Sequence, residues 1–82
     1  MERETRVAIV AIIVEDMDAV AAVNSILHEY AENIIGRMGL PYRQKELKII
    51  SVVVDAPHDV ISALSGKIGR IDGVKTNTVY SK

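Results

Sequence analysis

The sequence predicts an α+β fold in which an antiparallel sheet of four strands carries two helices on one face. Strand-like and helix-like segments alternate in the order βαββαβ. The two halves also resemble each other at an offset of forty residues, so that residues 12–15 (IIVE) align with residues 52–55 (VVVD). A duplicated β-α-β unit of this kind is typical of the ferredoxin-like sandwich. Right-handed crossovers place its first and third strands side by side in the centre.

The first half begins with a strand at Arg6–Val14, which is apolar at odd and even positions and should therefore be buried on both faces. Asp16 is the predicted N-cap of a helix that extends to about Tyr30. One apolar stripe runs along this helix and comprises Val20, Val23, Leu27 and Tyr30, widened by Ala19, Ala22 and Ile26.

The second strand is predicted at residues 33–40 (NIIGRMGL), where Gly36 and Gly39 suggest a bulge or a close backbone approach. Residues 41–45 (PYRQK) are a polar connection, and Pro41 suits a strand end or an edge because it cannot donate to a ladder. The third strand, at residues 47–54 (LKIISVVV), is again almost entirely apolar.

The second helix is predicted to open at residues 56–57, with Pro57 at its first helical position, and to end with Gly69 as its C-cap. Its apolar stripe comprises Val60, Ile61, Leu64 and Ile68. A turn at Asp72-Gly73 leads into Val74–Tyr80, which alternates as a half-exposed edge strand does.

The central strands carry the main functional inference from the sequence. Helices on one side cover only one face of the sheet, yet both central strands are apolar on both faces, and an exposed apolar face is typical of an interface. A chain of 82 residues buries only about 60% of its unfolded surface and has no disulfide to support it. We therefore expect a homo-oligomer, a dimer or a tetramer, that buries the open sheet face.

Composition excludes several classes of protein. Apolar residues make up 49% and charged residues 26%, as in a globular chain, and the length fits one domain over residues 1–82. The net charge of −1 argues against direct nucleic-acid binding. The longest apolar run, residues 7–14, is too short to cross a membrane, and no signal-peptide pattern follows it, so we expect a cytoplasmic protein with no membrane partner.

The sequence offers no catalytic arrangement, so we expect the protein not to be an enzyme and to need no cofactor. There is no cysteine, no glycine-rich phosphate loop and no serine with a neighbouring base. His28 and His58 could share a metal only with further ligands, and we interpret both as helix-end residues. The acidic residues Glu15, Asp16 and Asp18 are interpreted as helix-capping groups rather than as cation ligands.

The most distinctive local string surrounds the second strand. It gives the candidate ligand- or partner-binding residues, which are Gly36, Arg37, Gly39, Tyr42 and Arg43. Glycines leave backbone amides approachable, and two guanidinium groups suit a carboxylate or a phosphate. The alternative is an edge strand whose glycines permit close packing with another subunit and whose arginines prevent aggregation.

Three strings, VNSILHEYAENIIGRMGLPYR, IISVVVDAP and ISALSGKIGRIDGVKTNTVYSK, closely resemble the iron-only hydrogenase system regulator family, over residues 5–82. The resemblance implies a small regulatory protein that acts in the biosynthesis or expression of that hydrogenase. The family is in turn similar to the C-terminal domain of nickel-responsive repressors and, more distantly, to ACT domains, which implies a ferredoxin-like module that forms dimers or tetramers.

The sequence departs from these relatives at their ligand sites. Nickel-responsive repressors bind metal through histidines and a cysteine around the second strand, but NIIGRMGLPYRQKEL contains neither. ACT domains often have a glycine in the first strand–helix loop, and here that loop is EDMD, which argues against amino-acid binding. No DNA-binding segment precedes the first strand, so in transcriptional regulation we expect another chain to contact the DNA.

We therefore expect a non-enzymatic regulatory or ligand-sensing module that acts as a homo-oligomer. The alternative is an accessory or structural protein that binds a partner in hydrogenase maturation and has no small ligand.

Overall fold

The sheet has the strand order β2-β3-β1-β4, and every pair of neighbouring strands is antiparallel. In the computed structural model, which describes residues 4–81, the elements follow the predicted order. They are β1 (Arg6–Val14), α1 (Val20–Glu29), β2 (Ile34–Tyr42), β3 (Leu47–Ala56), α2 (His58–Gly69) and β4 (Val74–Tyr80). The predicted ferredoxin-like fold is confirmed, with β1 and β3 in the centre.

The first helix starts later than the sequence suggests. Met17–Ala19 forms a short 3-10 turn before α1, and the Asp16 carboxylate caps this turn by accepting a 2.9 Å hydrogen bond from the Asp18 amide. Asp16 is therefore an N-cap as predicted, but of the turn rather than of the α-helix.

The strand β2 is longer than predicted and continues through Pro41 and Tyr42, so the polar connection shrinks to a 3-10 turn at Arg43–Lys45. Proline fits here because β2 is an outer strand with β3 as its one neighbour, and an outer strand tolerates a missing N–H. The predicted irregularity is present, since the pairing of β2 with β3 shifts between Ile34 and Gly36.

The bounds of α2 also differ from the prediction. Pro57 lies just before the first helical residue, and Gly69 is the last helical residue, with Arg70 as the C-cap. The left-handed backbone occurs instead at Gly73, with φ of 81°. The Gly73 carbonyl accepts hydrogen bonds from the amides of Glu15 (2.6 Å) and Asp16 (3.3 Å), which fastens the end of β1 to the start of β4.

The hydrophobic core lies between the sheet and the two helices. Its β1 residues are the even-numbered ones, while the odd-numbered set faces the other way. The core comprises Ala8, Val10, Ile12, Val14, Ala19, Val23, Leu27, Ile50, Val52, Val54, Ala56, Ile61, Leu64, Ile68 and Val74. The predicted helix stripes are confirmed except at Ala22, which is exposed. Across residues 4–81, no helix is long and apolar enough to cross a membrane.

Candidate functional site

The side of the sheet opposite the helices carries an apolar surface, which we call the open face. Strand register arranges most of it in three rows that run from β2 across β3 and β1 to β4. The rows are Leu40–Ile49–Ile13–Lys75, Met38–Ser51–Ala11–Asn77 and Gly36–Val53–Ile9–Val79.

The open face is large for a surface exposed to water. Its most exposed apolar side chains are Val79 (62%) and Met38 (61%), at its two outer strands. Four strands about 4.8 Å apart and nine residues of about 3.4 Å each give an area of roughly 600 Å². The face also carries Ser51, Asp55, Lys75 and Asn77, so its apolar part is smaller than this estimate and lies in the range of about 300–600 Å² that the largest apolar patch of a typical monomer covers. The face therefore has the character of an interaction surface.

A small hollow of about 140 Å³ lies within the open face, between β1 and β4. Its lining includes Ala11, Ile13, Lys75 and Asn77. The Lys75 ammonium lies 3.7 Å from the Glu15 carboxylate, so this side chain extends toward the end of the sheet and leaves the space over Ala11 open. The hollow exists because Ala11 is short where its neighbours in the strand, Ile9 and Ile13, are long.

A larger cleft of about 620 Å³ lies at the end of the sheet, within the size range of ligand pockets. It forms because Val14, at the end of β1, pairs with Lys48 near the start of β3, which brings the loop after β1 beside the turn between β2 and β3. Its lining residues are Glu15, Asp16, Met17, Pro41, Arg43, Glu46 and Leu47. The cleft therefore offers one guanidinium, which can donate hydrogen bonds to a small molecule, and three carboxylates, which can accept hydrogen bonds from it.

The residues that the sequence singled out as a binding site lie in three different places. Gly36 and Tyr42 are on the open face, while Arg37 and Gly39 are on the helix side of β2. The Arg37 guanidinium donates a 3.2 Å hydrogen bond to the Asn24 side chain of α1. Arg43 follows the strand and lines the cleft. The structure therefore does not bring the two arginines together.

Neither glycine of the string is required by contacts inside the chain. A β-carbon added at Gly36 would meet no atom within 4 Å, and one at Gly39 would make an ordinary 3.8 Å contact with Lys48 Cε. Packing inside the chain therefore does not explain the glycine at position 36, and a packing explanation requires contact with another molecule.

Sequence reasoning missed Glu15, Asp16 and Met17 as part of a cleft. It treated the acidic residues only as caps, although Asp16 does serve as one. The available signal was topological: antiparallel pairing of the first and third strands necessarily places the loop after β1 next to the turn that precedes β3.

The two histidines occupy separate places. His28 is exposed in the last turn of α1. His58 begins α2, where its Nδ1 accepts a 3.1 Å hydrogen bond from Arg6, whose guanidinium lies 4.5 Å from the centroid of the Tyr80 ring. Over the part of the chain that the structure describes, no group of three histidine or acidic side chains could hold a metal ion.

In comparison with protein families, residues 6–78 match the TM1266-like family, described as a proposed iron-only hydrogenase system regulator. Among solved structures, the uncharacterized protein TM1266 from Thermotoga maritima shares 41% sequence identity, with a TM-score of 0.92. The alignment covers 96% of this chain and all of that one. No curated protein matches the sequence.

Two more distant structures share the fold. A formyltetrahydrofolate deformylase from Pseudomonas putida KT2440 matches with 16% identity and a TM-score of 0.64, over 89% of this chain but 28% of the deformylase. An unknown protein from Galdieria sulphuraria matches with 15% identity and a TM-score of 0.65, over 96% of this chain and 46% of that one. At these identities the similarity concerns the fold alone.

Proposed function

Because the chain belongs to the TM1266-like family of proposed iron-only hydrogenase system regulators, we propose that it is a non-enzymatic regulatory module that acts as a homo-oligomer. Family membership supports the regulatory role. The open face supports the assembly and is the observation that carries the proposal.

A second copy of the chain is the occupant that best suits the open face. Two copies that each cover about 600 Å² bury about 1,200 Å² together, which reaches the lower limit of specific interfaces. Lys75 lies in the outer strand β4 and Asp55 lies near the end of β3. The centre is built from Ile9, Ile13 and neighbouring side chains that are apolar apart from Ser51. An apolar centre with charge at its margin is the usual anatomy of a stable interface.

The cleft supports a role in sensing a small molecule. The fork-shaped donors of Arg43 suit a carboxylate or a phosphate. The carboxylates of Glu15, Asp16 and Glu46 suit a hydrogen-bond donor elsewhere on the same ligand. Because Glu15 and Asp16 are also fastened to Gly73, the first loop of the cleft is held in place before a ligand arrives.

His58 joins α2 to the sheet. Its Nδ1 accepts a hydrogen bond from Arg6, and its ring lies 5.1 Å from that of Tyr80.

Sedimentation equilibrium tests the assembly, since we expect a mass at least twice the 9.0 kDa of one chain at micromolar concentration. A single 9.0 kDa species would contradict the proposal. A thermal-shift screen of metals, amino acids, nucleotides and phosphates tests the sensing role. A ligand at a hundredfold its Kd adds about 2.7 kcal/mol of stability, and Arg43→Ala should remove that gain.

Capture of partners from the native host separates sensing from the accessory role. A hydrogenase-maturation protein that binds the purified chain with no stabilising small molecule would support the accessory role instead. A ligand that stabilises the chain and loses its effect in Arg43→Ala would support sensing.

A further inference from the structure

The two outer strands of the open face have complementary shapes. β2 presents a projecting Met38 and, in the next row, Gly36 with no side chain. The hollow lies between β1 and β4 and spans the Met38 row, with Ala11 and Asn77, and the row of Ile13 and Lys75. In the row on the other side of the Met38 row, β4 presents a projecting Val79. Each projection on one outer strand therefore shares a row with a depression at or beside the other outer strand.

The hollow has room for a methionine side chain. Its volume is about 140 Å³. An apolar cavity of about 150 Å³ holds benzene, which has more heavy atoms than the methionine side chain. Ala11 forms an apolar floor, and Lys75 extends away from it toward Glu15.

Symmetry determines which strand of a second copy lies over which strand of the first. When two sheets pack face to face about a two-fold axis parallel to their strands, each row lies opposite itself and the outer strands exchange, so β2 covers β4. An axis across the strands instead places β2 on β2 and reverses the order of the rows, so an axis along the central Met38 row would bring the two projecting Met38 side chains together.

We propose that two copies pack open face to open face about a two-fold axis parallel to the strands, with Met38 of each copy in the other's hollow over Ala11. This arrangement rests on the proposed function, which requires the open face to bind a second copy. In the neighbouring row it places Val79 of one copy over Gly36 of the other. It therefore gives a reason for the glycine that contacts within the chain leave unexplained.

The twist of packed sheets is compatible with this match. Aligned sheets cross at about 30°. The outer strands lie about 7 Å from the centre of the sheet, so this rotation displaces them by about 3.6 Å, half of the spacing of about 6.8 Å between rows. Met38 then lies about midway between the Ala11 row and a neighbouring row. The hollow also spans two rows, because Ala11 and Asn77 of one row and Ile13 and Lys75 of the next line it, so a shift toward the Ile13 row keeps Met38 over the hollow.

A size exchange tests the proposal in the full-length chain. Met38→Ala empties the hollow and Ala11→Met fills it with the chain's own side chain, so each variant should raise the dimer Kd at least about tenfold. The double variant exchanges projection and hollow and should return to within about threefold of the wild-type Kd, because the two sites are coupled. Ala22→Met, which adds a methionine on the exposed surface of α1 outside the open face, should leave the Kd unchanged.

Cross-linking tests the direction of the two-fold axis. Because the chain has no native cysteine, a thiol reagent reacts only with the cysteines that are introduced. The variant with Met38→Cys and Asn77→Cys should form covalent dimers with a bismaleimide that spans about 10 Å, the separation of packed sheets. Within one chain the two positions are about 14 Å apart, across three strand spacings. Met38→Cys alone should give little dimer.

The results distinguish the Met38 arrangement from the more general proposal that the open face binds a second copy of the chain. A monomeric wild type would contradict the assembly itself. A dimeric wild type whose double variant is weakened by the sum of the two single effects would overturn the Met38 arrangement alone. Efficient cross-linking of Met38→Cys by itself would overturn it as well, because it would place the axis across the strands.

Discussion

A β-carbon built on Gly73 would lie 2.5 Å from the β-carbon of Asp16. The two loops approach this closely because the Gly73 carbonyl binds the amides of Glu15 and Asp16. The contact holds the first loop of the cleft against the start of β4, and glycine at position 73 is what permits it.

Gly73→Ala should therefore destabilise the fold by at least about 2 kcal/mol, through the left-handed backbone and the clash with Asp16. Urea unfolding monitored by circular dichroism measures the loss. Gly39→Ala is the matched control and should change stability by less than about 1 kcal/mol, because its new methyl group makes only an ordinary contact. Equal losses in both variants would contradict this explanation.

Arg6 joins the start of β1 to the end of β4 and to α2. Its guanidinium lies over the Tyr80 ring and donates hydrogen bonds to His58 Nδ1 (3.1 Å) and to the Ser81 carbonyl (2.8 Å). We expect Arg6→Ala to reduce the free energy of unfolding by about 1–2 kcal/mol, and Arg6→Lys to recover part of it by restoring the charge above the ring.

The control for Arg6 is Arg37→Ala, which removes an exposed arginine with one hydrogen bond to Asn24 and should change stability by less than about 0.5 kcal/mol. Denaturant titrations of the three variants measure the differences. An Arg6→Lys variant as unstable as Arg6→Ala would show that the charge itself contributes nothing.

Lys67 should make stability depend on pH in the alkaline range. Its pKa lies above the ordinary value of 10.5 because the ammonium donates a 2.8 Å hydrogen bond to Glu29, and Tyr30 raises it further. Because the pKa is higher in the folded state than in the unfolded state, the charged Lys67 contributes fully to the free energy of unfolding below pH 10.5. This contribution disappears as the pH rises through the folded-state pKa.

The measurement for Lys67 is the difference in unfolding free energy between the wild type and Lys67→Met, at neutral pH and above pH 10.5. The difference should be small, because the pair is exposed, and it should shrink at the higher pH. Lys45→Met, in the exposed turn after β2, serves as a control for the loss of one positive charge. A difference that grows with pH would contradict the assigned direction.

Ile9→Lys should convert the proposed oligomer into a folded monomer, because association would bury an unpaired ammonium at a cost of several kcal/mol. Sedimentation velocity measures the shift. Ala22→Lys, on the exposed side of α1, should leave the assembly intact. Val10→Lys, one position along β1 in the core, should instead abolish folding. Retention of the oligomer by Ile9→Lys would exclude the open face as the interface.

The chain alone should not bind DNA at a defined sequence, because its net charge is −1. Footprinting at physiological salt tests this expectation, and a protected site would contradict it. Weak retention at low salt would be compatible with it, since such binding reports only phosphate electrostatics.

The sequence predicted the fold well because its strongest signals are local. The bounds of β1 and β4 were correct to the residue, since β1 is an apolar run that stops before Glu15 and β4 is an alternating run that begins after Gly73. The end of β2 was missed because an outer strand accepts Pro41, which sequence rules treat as a strand end. Alternation also fails across the shift near Ile35, so the sequence could not tell which side of the sheet each residue of β2 faces.

The candidate site was harder to predict because its parts come from distant segments. The cleft combines residues 15–17 with residues 41–47, and only the pairing of β1 with β3 brings them together. The predicted grouping of Arg37 with Arg43 rested on sequence proximity, whereas a strand separates residues along its length and between its two faces. The complementarity of Met38 and Ala11 likewise depends on sheet register.

The irregularities of β2 have a consequence for unwanted polymerisation. An outer strand with one neighbour is where strands of other molecules add and where fibres begin. The bulge near Ile35 distorts one end of this edge, and Pro41 removes a donor at the other, so only a short regular stretch between them remains available. The protein can thus expose an apolar face while its edge resists the growth of a continuous sheet from molecule to molecule.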